Sequence, residues 1–351
     1  MSDFQIMDVT LRDGSYKINF QFSNTDVQCI GGGLDRWGIP YIEIGHGMGI
    51  GAGGPCYGAA LHTDMEYLQA AKEAICRAKI GMFCVPGVAS LEQVERLCTA
   101  GLDFVRVGTN VDSIEKSEPY IRLCKKMGVM VMANYMKSYV MEPKQFAQQV
   151  KKSESYGVDA VYLVDSAGSM LPTDILRYYE EIREVSALPL GYHGHNNLGL
   201  ALSNSLYAAR VGFSLIDASL QGLGRSAGNT VTELLVAVSQ KASGRMDMDI
   251  NELLLLGKKY VARFVGSGIT DPIDTVCGLA GFHSSYLQAV HRCAGKFGVS
   301  PLELIAAYAK MDRLNMDENL LEMIAKQLPQ KKEVLSEIDM HGYLVNEQGQ
   351  R

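Results

Sequence analysis

What the chain lacks narrows the reading first. There is no basic excess: the formal net charge is −6, so nucleic acid, which proteins hold through its phosphates, is excluded as an expected partner. No apolar run is long enough to span a bilayer, so no membrane is expected either. The opening "MSDFQIMDVT" has neither the charged nor the apolar region of a signal peptide. Eight cysteines are scattered, at Cys29, Cys56, Cys76, Cys84, Cys98, Cys124, Cys277 and Cys293, with no Cys-x-x-Cys pair. They are expected to be reduced and mostly buried, in a cytoplasmic protein. Phosphate signatures are missing as well. The glycine-rich stretch "GHGMGIGAGGPCYG", Gly45 to Gly58, has neither Walker spacing nor Gly-x-Gly-x-x-Gly leading into a helix. It reads as a lid or substrate loop.

What is present is the composition of an ordinary globular protein, 47% apolar and 21% charged with 36 glycines. The length of 351 residues allows one large domain and an appendage. Short apolar, β-branched runs alternate with segments of helical period. The expected strands are Gln5–Leu11, Tyr41–Gly45, Lys79–Val85, Phe104–Gly108, Val129–Asn134, Ala160–Asp165, Leu188–His193 and Leu215–Leu220. A weak repeat marks the junctions: "WGIPYIEI", "AGLDFVRV", "YGVDAVYL" and "VGFSLIDA" each place a glycine suited to a helix C-terminus before a turn and a strand. Eight such units predict an α/β fold, a (β/α)8 TIM barrel, rather than a doubly wound open sheet. The barrel is expected over residues 1–266. Beyond it the strands stop, and residues 267–345 read as a C-terminal helical domain that completes the active site. Ser300-Pro301 and Asp317 start two of its helices. Residues 346–351 are expected to be a tail.

Barrel enzymes work at the C-terminal ends of their strands. Those ends are polar here: Arg12 and Asp13, His46, Asn110, Asn134, Asp165 and Ser166, His193 and His195, Gln221 and Arg225. The chain has only seven histidines, yet His193 and His195 sit one residue apart after an apolar run. In a strand, alternate residues share a face. One reading has both imidazoles capping the rim. With Asp13 at the matching end of strand one, an alternate strand whose inward groups share a layer with strand seven, they form a mixed nitrogen and oxygen set for a divalent metal acting as a Lewis acid. Arg12 beside them is suited to stabilising an enolate or oxyanion, or else to a salt bridge at the barrel mouth. "QGLGRSAGNTVTE", from Gln221, enters a helix at about Asn229 and either binds an anion or makes a tight turn.

These residues together resemble the metal-dependent pyruvate aldolases that cleave 4-hydroxy-2-oxoacids, the 4-hydroxy-2-oxovalerate aldolase type. These sit within the superfamily of hydroxymethylglutaryl-CoA lyase and isopropylmalate synthase. The resemblance runs through "VTLRDGS", "HGMGIGAGGPCYG", "LHTDMEYL", "VDSAG", "HGHNNLGLALSNSLYAARVG", "IDASLQGLGRSAGN" and "GLAGFHSSYL", so it covers nearly the whole chain. It implies that Asp13, His193 and His195 hold a divalent metal, typically manganese with magnesium or cobalt as alternatives, and that Asn229 approaches the same ion. It implies that Arg12 stabilises the pyruvate enolate and that Ser166 contacts the pyruvate carboxylate. His46 is taken as a further substrate-binding residue. The partners implied are a small 2-oxoacid and an aldehyde, with a homodimer as the expected assembly.

Three departures stand out. The aldolases usually read Arg-Asp-Gly-Ser-His, where this chain has Tyr16. In their helical domain a tyrosine follows "AGV", where here "AGF" is followed by His283. Histidine and tyrosine thus look exchanged, with His283 taking the proton transfer and Tyr16 orienting the oxygen. The contrary reading is that proton transfer at this point is lost. "AYAKMDRLNMDEN" replaces a basic, glycine-containing stretch, which puts docking of an acylating aldehyde dehydrogenase in doubt. Strand three ends "MFCVPG" instead of a leucine-rich version, which suggests a different aldehyde pocket. The expected activity is retro-aldol cleavage, or its reverse, by a carbon–carbon lyase. The alternatives are an acyl-CoA-dependent Claisen-condensing acyltransferase using the same metal site, and an inactive barrel serving as a scaffold.

Overall fold

The computed structural model describes residues 4–243, 248–265 and 272–330. Its eight strands are β1 (Gln5–Asp8), β2 (Tyr41–Ile44), β3 (Lys79–Cys84), β4 (Phe104–Asn110), β5 (Met130–Met136), β6 (Ala160–Asp165), β7 (Leu190–Gly194) and β8 (Leu215–Ala218). All pair in parallel and in order, and β8 returns to β1 with Asp217 opposite Met7, so the sheet closes into a (β/α)8 barrel. Strands covered on both faces have no need of polar alternation. That is why β2, β6, β7 and β8 are buried along their whole length.

The helix-to-strand junctions follow the repeated glycine. Gly38, Gly101, Gly157 and Gly212 all have φ between 93° and 122°, a region that only glycine enters without strain. At the other ends, Ser23, Thr63 and Ser90 close capping boxes with Asp26, Glu66 and Gln93. Several return helices are therefore started or stopped by local chemistry before packing acts.

Strand β1 is shorter than the run Gln5–Leu11 suggests. The Asp8 carboxylate accepts from Thr10 N at 2.9 Å, and the amides of Asp13 and Gly14 turn back to Val9 O. A 3-10 helix, Asp13–Ile18, follows at once. Asp13 is thus the first residue of a tight turn above the strand, not the end of the strand itself. The helix expected from about Asn229 begins at Thr232.

Inside the barrel an apolar floor is formed by Met7, Val9, Tyr41, Phe104, Met132, Ala160, Tyr162, Val164 and Leu215. Two residues further along β2, β4 and β8 the same inward face carries Glu43, Arg106 and Asp217. All three are essentially inaccessible. The C-terminal helices Pro272–Ala280, Leu287–Phe297, Pro301–Tyr308 and Glu318–Ala325 have their own core around Phe282, Leu304, Ile305 and Tyr308. Pro301 and Asp317 stand where two of these helices start. Polar ties fasten them to the barrel mouth: Asn197 Nδ2 donates to Asp274 O, and Lys137 Nζ to Leu314 O. The expected boundary at residue 266 and the tail 346–351 lie outside the described residues. Among the described residues no helix is long and apolar enough to cross a membrane.

Candidate metal centre and the pocket above it

Asp13, His193 and His195 are all buried, and their potential ligand atoms lie within 4.8 Å of one another. His193 belongs to β7. His195 lies just beyond that strand, bridged to Asn229 in the loop after β8. Each imidazole is oriented through the same nitrogen: His193 Nδ1 is 2.9 Å from Asp217 Oδ2, and His195 Nδ1 is 3.2 Å from Gly228 O. When Nδ1–H donates, Nε2 is left as a bare lone pair, the arrangement that metal-binding histidines need. Burial pushes the His195 imidazole down to about 3 against the pull of Asp13, so the ring is neutral. Burial alone would raise Asp13. The charge of Arg12 and the bond from Asn229 Nδ2 at 2.8 Å instead hold it well below the usual carboxylate range.

The donor set fits a divalent cation, and one further atom supports the fit. Asn229 Oδ1 is buried without a hydrogen-bond partner and belongs to the residue whose amide touches Asp13. A buried carbonyl left unsatisfied is costly unless something else completes it.

Arg12 is held from two sides, by Glu43 Oε2 at 2.6 Å and Asp13 Oδ1 at 2.7 Å, with its guanidinium 4.9 Å from the Phe83 ring centre. Beyond Glu43 comes Arg106, whose Nε is 3.0 Å from Glu43 Oε1 and whose NH1 pairs with Asp217 Oδ2. Asp217 is the carboxylate that orients His193. Burial would raise it, but Arg106 and the bond from His193 bring it below its ordinary value. The charges therefore run from one metal-site residue to another: Asp13, Arg12, Glu43, Arg106, Asp217, His193.

Above the cluster lies a small cavity of about 50 Å³. Of the residues expected at the site, Arg12, Asp13, Tyr16, Ser166, His193, His195 and His283 line it together. Asn229 sits just behind, through Asp13. Ser166 Oγ accepts from Lys137 N at 3.0 Å. His283 Nδ1 accepts from Ser285 N at 3.1 Å, so the neutral ring carries its proton on Nε2. Burial, with the charges of Arg225 and Lys137, lowers that imidazole well below its ordinary range.

His46 is not brought to the pocket. Its Nε2 bonds Gly58 O at 2.9 Å, its Nδ1 accepts from Met48 N at 3.0 Å, and its ring stacks on Phe20 at 3.7 Å. With both nitrogens committed, it ties the base of the glycine-rich loop and has no atom left for substrate. Its imidazole is down at about 4 through burial.

Several residues that line or support the pocket were given no role from sequence. Arg225 lies over the Tyr16 ring at 4.9 Å, and Met136 joins Phe83 and Val85, from the stretch expected to shape the aldehyde pocket, and Met48, from the glycine-rich loop, in an apolar wall. Glu43, Arg106 and Asp217 had a signal that was available. Each is a lone charge inside an apolar strand run, "YIEIG", "FVRVG" and "LIDAS", in a sheet buried on both faces.

Comparison with known proteins agrees with this arrangement. The HMGL-like family model matches residues 3–258. The 4-hydroxy-2-oxovalerate aldolase of Geobacillus genomosp. 3 is 35% identical over 329 residues, 93% of this chain and 98% of that protein. The 4-hydroxy-2-oxovalerate aldolase 2 of Nocardia farcinica is 36% identical over 324 residues, 92% of this chain and 94% of its own. Among solved structures, the carboxyl transferase domain of Rhizobium etli pyruvate carboxylase superposes with a TM-score of 0.73 at 17% identity, covering 93% of this chain and 61% of that one. That likeness speaks for the fold alone.

Proposed function

The chain belongs to the HMGL-like family, and from that premise we propose that it is a divalent-metal-dependent pyruvate aldolase. As a carbon–carbon lyase it cleaves or forms a 4-hydroxy-2-oxoacid. The observation that carries the reading is the matched orientation of His193 and His195. Both are held at Nδ1 with Nε2 left over, beside a charged Asp13 and an arginine that touches it.

Asp13, His193 and His195 hold the cation, with the Asn229 carbonyl in reach of the same centre. Manganese is the proposed ion, magnesium or cobalt the substitutes. When bound, such a cation supplies Lewis acidity to the 2-oxo group. The protein's own residues do the rest. Arg12, fixed by Glu43 and stacked on Phe83, presents its remaining donors to the oxygen that gains charge as the enolate forms. Ser166 binds the carboxylate of the oxoacid. His283 starts the condensation as a neutral Nε2–H donor to the C4 oxygen, a role in which a lowered imidazole pKa keeps the ring from charging; as that proton passes to the oxygen, the Ser285 hydroxyl, 2.6 Å from Nδ1, returns one to the ring in exchange with solvent. Tyr16, under Arg225, orients that oxygen. Cleavage is the same sequence run backward. The apolar wall of Met48, Phe83, Val85 and Met136 receives the aldehyde side chain, and two copies of the chain form the working dimer.

The test is proton NMR of pyruvate in deuterated buffer with the manganese- or magnesium-loaded protein. Loss of the methyl signal, absent with His193→Ala, is the expected result. A methyl signal that persists with metal-replete protein overturns the aldolase reading and turns the search to acyl-CoA donors.

A further inference from the structure

We propose that Arg106, which lies below the pocket and outside its lining, is a positioning residue that aims both halves of the site at once: Arg12 through Glu43, and His193 through Asp217. Its bearing on catalysis rests on the aldolase reading. Its bearing on the geometry of His193 does not.

The contacts are specific. Arg106 Nε lies 3.0 Å from Glu43 Oε1 as an ion pair without hydrogen-bond alignment, while Arg12 Nε donates to the other oxygen, Oε2, at 2.6 Å. One carboxylate is thereby shared between two guanidinium groups, and a shift of Arg106 moves the partner that holds Arg12. At its other end Arg106 NH1 binds Asp217 Oδ2, the same oxygen that lies 2.9 Å from His193 Nδ1. Pull on that oxygen sets where the His193 proton is held and which way the ring faces.

Arg106 is itself over-determined. Its guanidinium lies 4.5 Å from the Tyr162 ring centre and 5.8 Å from that of Phe83, the ring that also underlies Arg12. The two rings can lie there because Gly108 and Gly191 leave room. A Cβ at Gly108 would collide with Phe83, and one at Gly191 with Tyr162. Glu43, Arg106 and Asp217 are each almost wholly removed from solvent. Stability is a poor account of such a trio, since well-packed apolar side chains of similar volume often do as well or better. Geometry is a better one. A guanidinium can donate a directed bond to Asp217 and still set its charge against Glu43, whereas a lysine offers one point charge.

The experiment compares Asp217→Asn, Glu43→Gln and Arg106→Gln by two readouts that need no turnover, and by pyruvate exchange. The first readout is nitrogen-15 NMR of His193 in the metal-free protein, which reports the Nδ1–H form. The second is the Mn2+ dissociation constant. Asp217→Asn is expected to mix the two tautomers and weaken Mn2+ binding by about 10–100-fold, with saturating Mn2+ recovering most of the pyruvate exchange. Glu43→Gln is expected to do the reverse: Mn2+ binding close to wild type, but slower exchange at saturating metal. Arg106→Gln is expected to show both defects although it touches neither His193 nor Arg12. The proposal is overturned if folded Arg106→Gln keeps the Nδ1–H form and binds Mn2+ within about 3-fold of wild type, a difference that counts as no coupling. Should Arg106→Gln not fold, Arg106→Lys, which keeps the charge but loses the fork, is judged by the same two readouts and the same limits. If wild type binds Mn2+ but exchanges no pyruvate, the aldolase reading fails by itself, while the tautomer and the metal affinity still decide the role of Arg106.

Discussion

The pocket has two walls built on different principles. On the side of β1, β7 and β8 each candidate ligand is held by another group: Asp13 by Arg12 and Asn229, His193 by Asp217, His195 by a backbone carbonyl. On the side of β3 and β5 stand Phe83, Val85 and Met136, with Met48 from the glycine-rich loop. That wall is mainly apolar, with Asn134 of β5 a polar side chain among them. A network of charges tolerates almost no displacement, whereas methionines and aliphatic side chains repack at low cost. The contrast teaches where chemistry and selectivity divide. The oxoacid half of the reaction needs fixed directions, while the aldehyde half needs only a cavity of the right size.

This division can be broken from the polar side first. His193→Ala removes a ligand from the charged wall and is expected to abolish Mn2+ binding and pyruvate exchange together, as isothermal titration and NMR would reveal. Arg12→Lys keeps the charge but loses the fork. Exchange should fall by about 10²–10³-fold, the scale of losing an oxyanion donor, while Mn2+ still binds. Retention of full exchange would remove Arg12 from the enolate. Val85→Ala addresses the other wall. It should change the ratio of kcat/KM between short and long aliphatic aldehydes by about 10-fold, the usual worth of a methylene or two. Exchange without any aldehyde should stay at the wild-type rate, and a parallel loss in both would mean that the walls are not separable.

The smallest expected effect on activity concerns a carboxylate that belongs to neither wall. Asp8 is buried and raised from 3.8 to about 7, first by burial, against bonds from Thr10 and Thr232. A folded pKa above the unfolded one means that its stabilising contribution is full below about pH 4 and is lost as pH rises through 7. Asp8→Asn should therefore gain stability relative to wild type over that interval, by at most about 4 kcal/mol at 1.36 kcal/mol per pH unit, with exchange unchanged. The difference between variant and wild type is the quantity to measure in thermal melts. His46 and His195, both lowered, bias the absolute curve the other way by losing stability as pH falls below 6.5. A difference that stays flat from pH 4 to 7 would show that Asp8 is ionised throughout.

Much of this was legible in the residues, for identifiable reasons. Strands buried on both faces stand out as apolar runs, and β6 falls on Ala160–Asp165 in both the sequence reading and the structure. The four glycine junctions were legible because left-handed backbone leaves one economical choice of residue. His193 and His195 were legible because paired imidazoles are conspicuous in a chain with seven. His46 misled for the same reason: a histidine at a strand end looks like a site residue, and only its two partners reveal a loop anchor. The end of β1 was missed because the side chain of Asp8, not the apolar pattern, turns the chain. Arg106 was missed because a periodicity argument treats a charge in an apolar run as noise. Its meaning lies in Glu43 and Asp217, which are distant in sequence and adjacent only once the barrel closes.

The shared carboxylates also bear on how this barrel can drift over generations. Losing one member of a buried ion pair costs about 3–5 kcal/mol, a large share of the total stability of a typical domain. Glu43, Arg106 and Asp217 are therefore poor sites for stepwise change, because each single replacement strands the other two. Descendants of this fold should either keep all three or exchange them together. A lineage in which the three vary as a block would have rebuilt the floor of its pocket in one episode, and there a new orientation of the metal ligands is the first thing to look for.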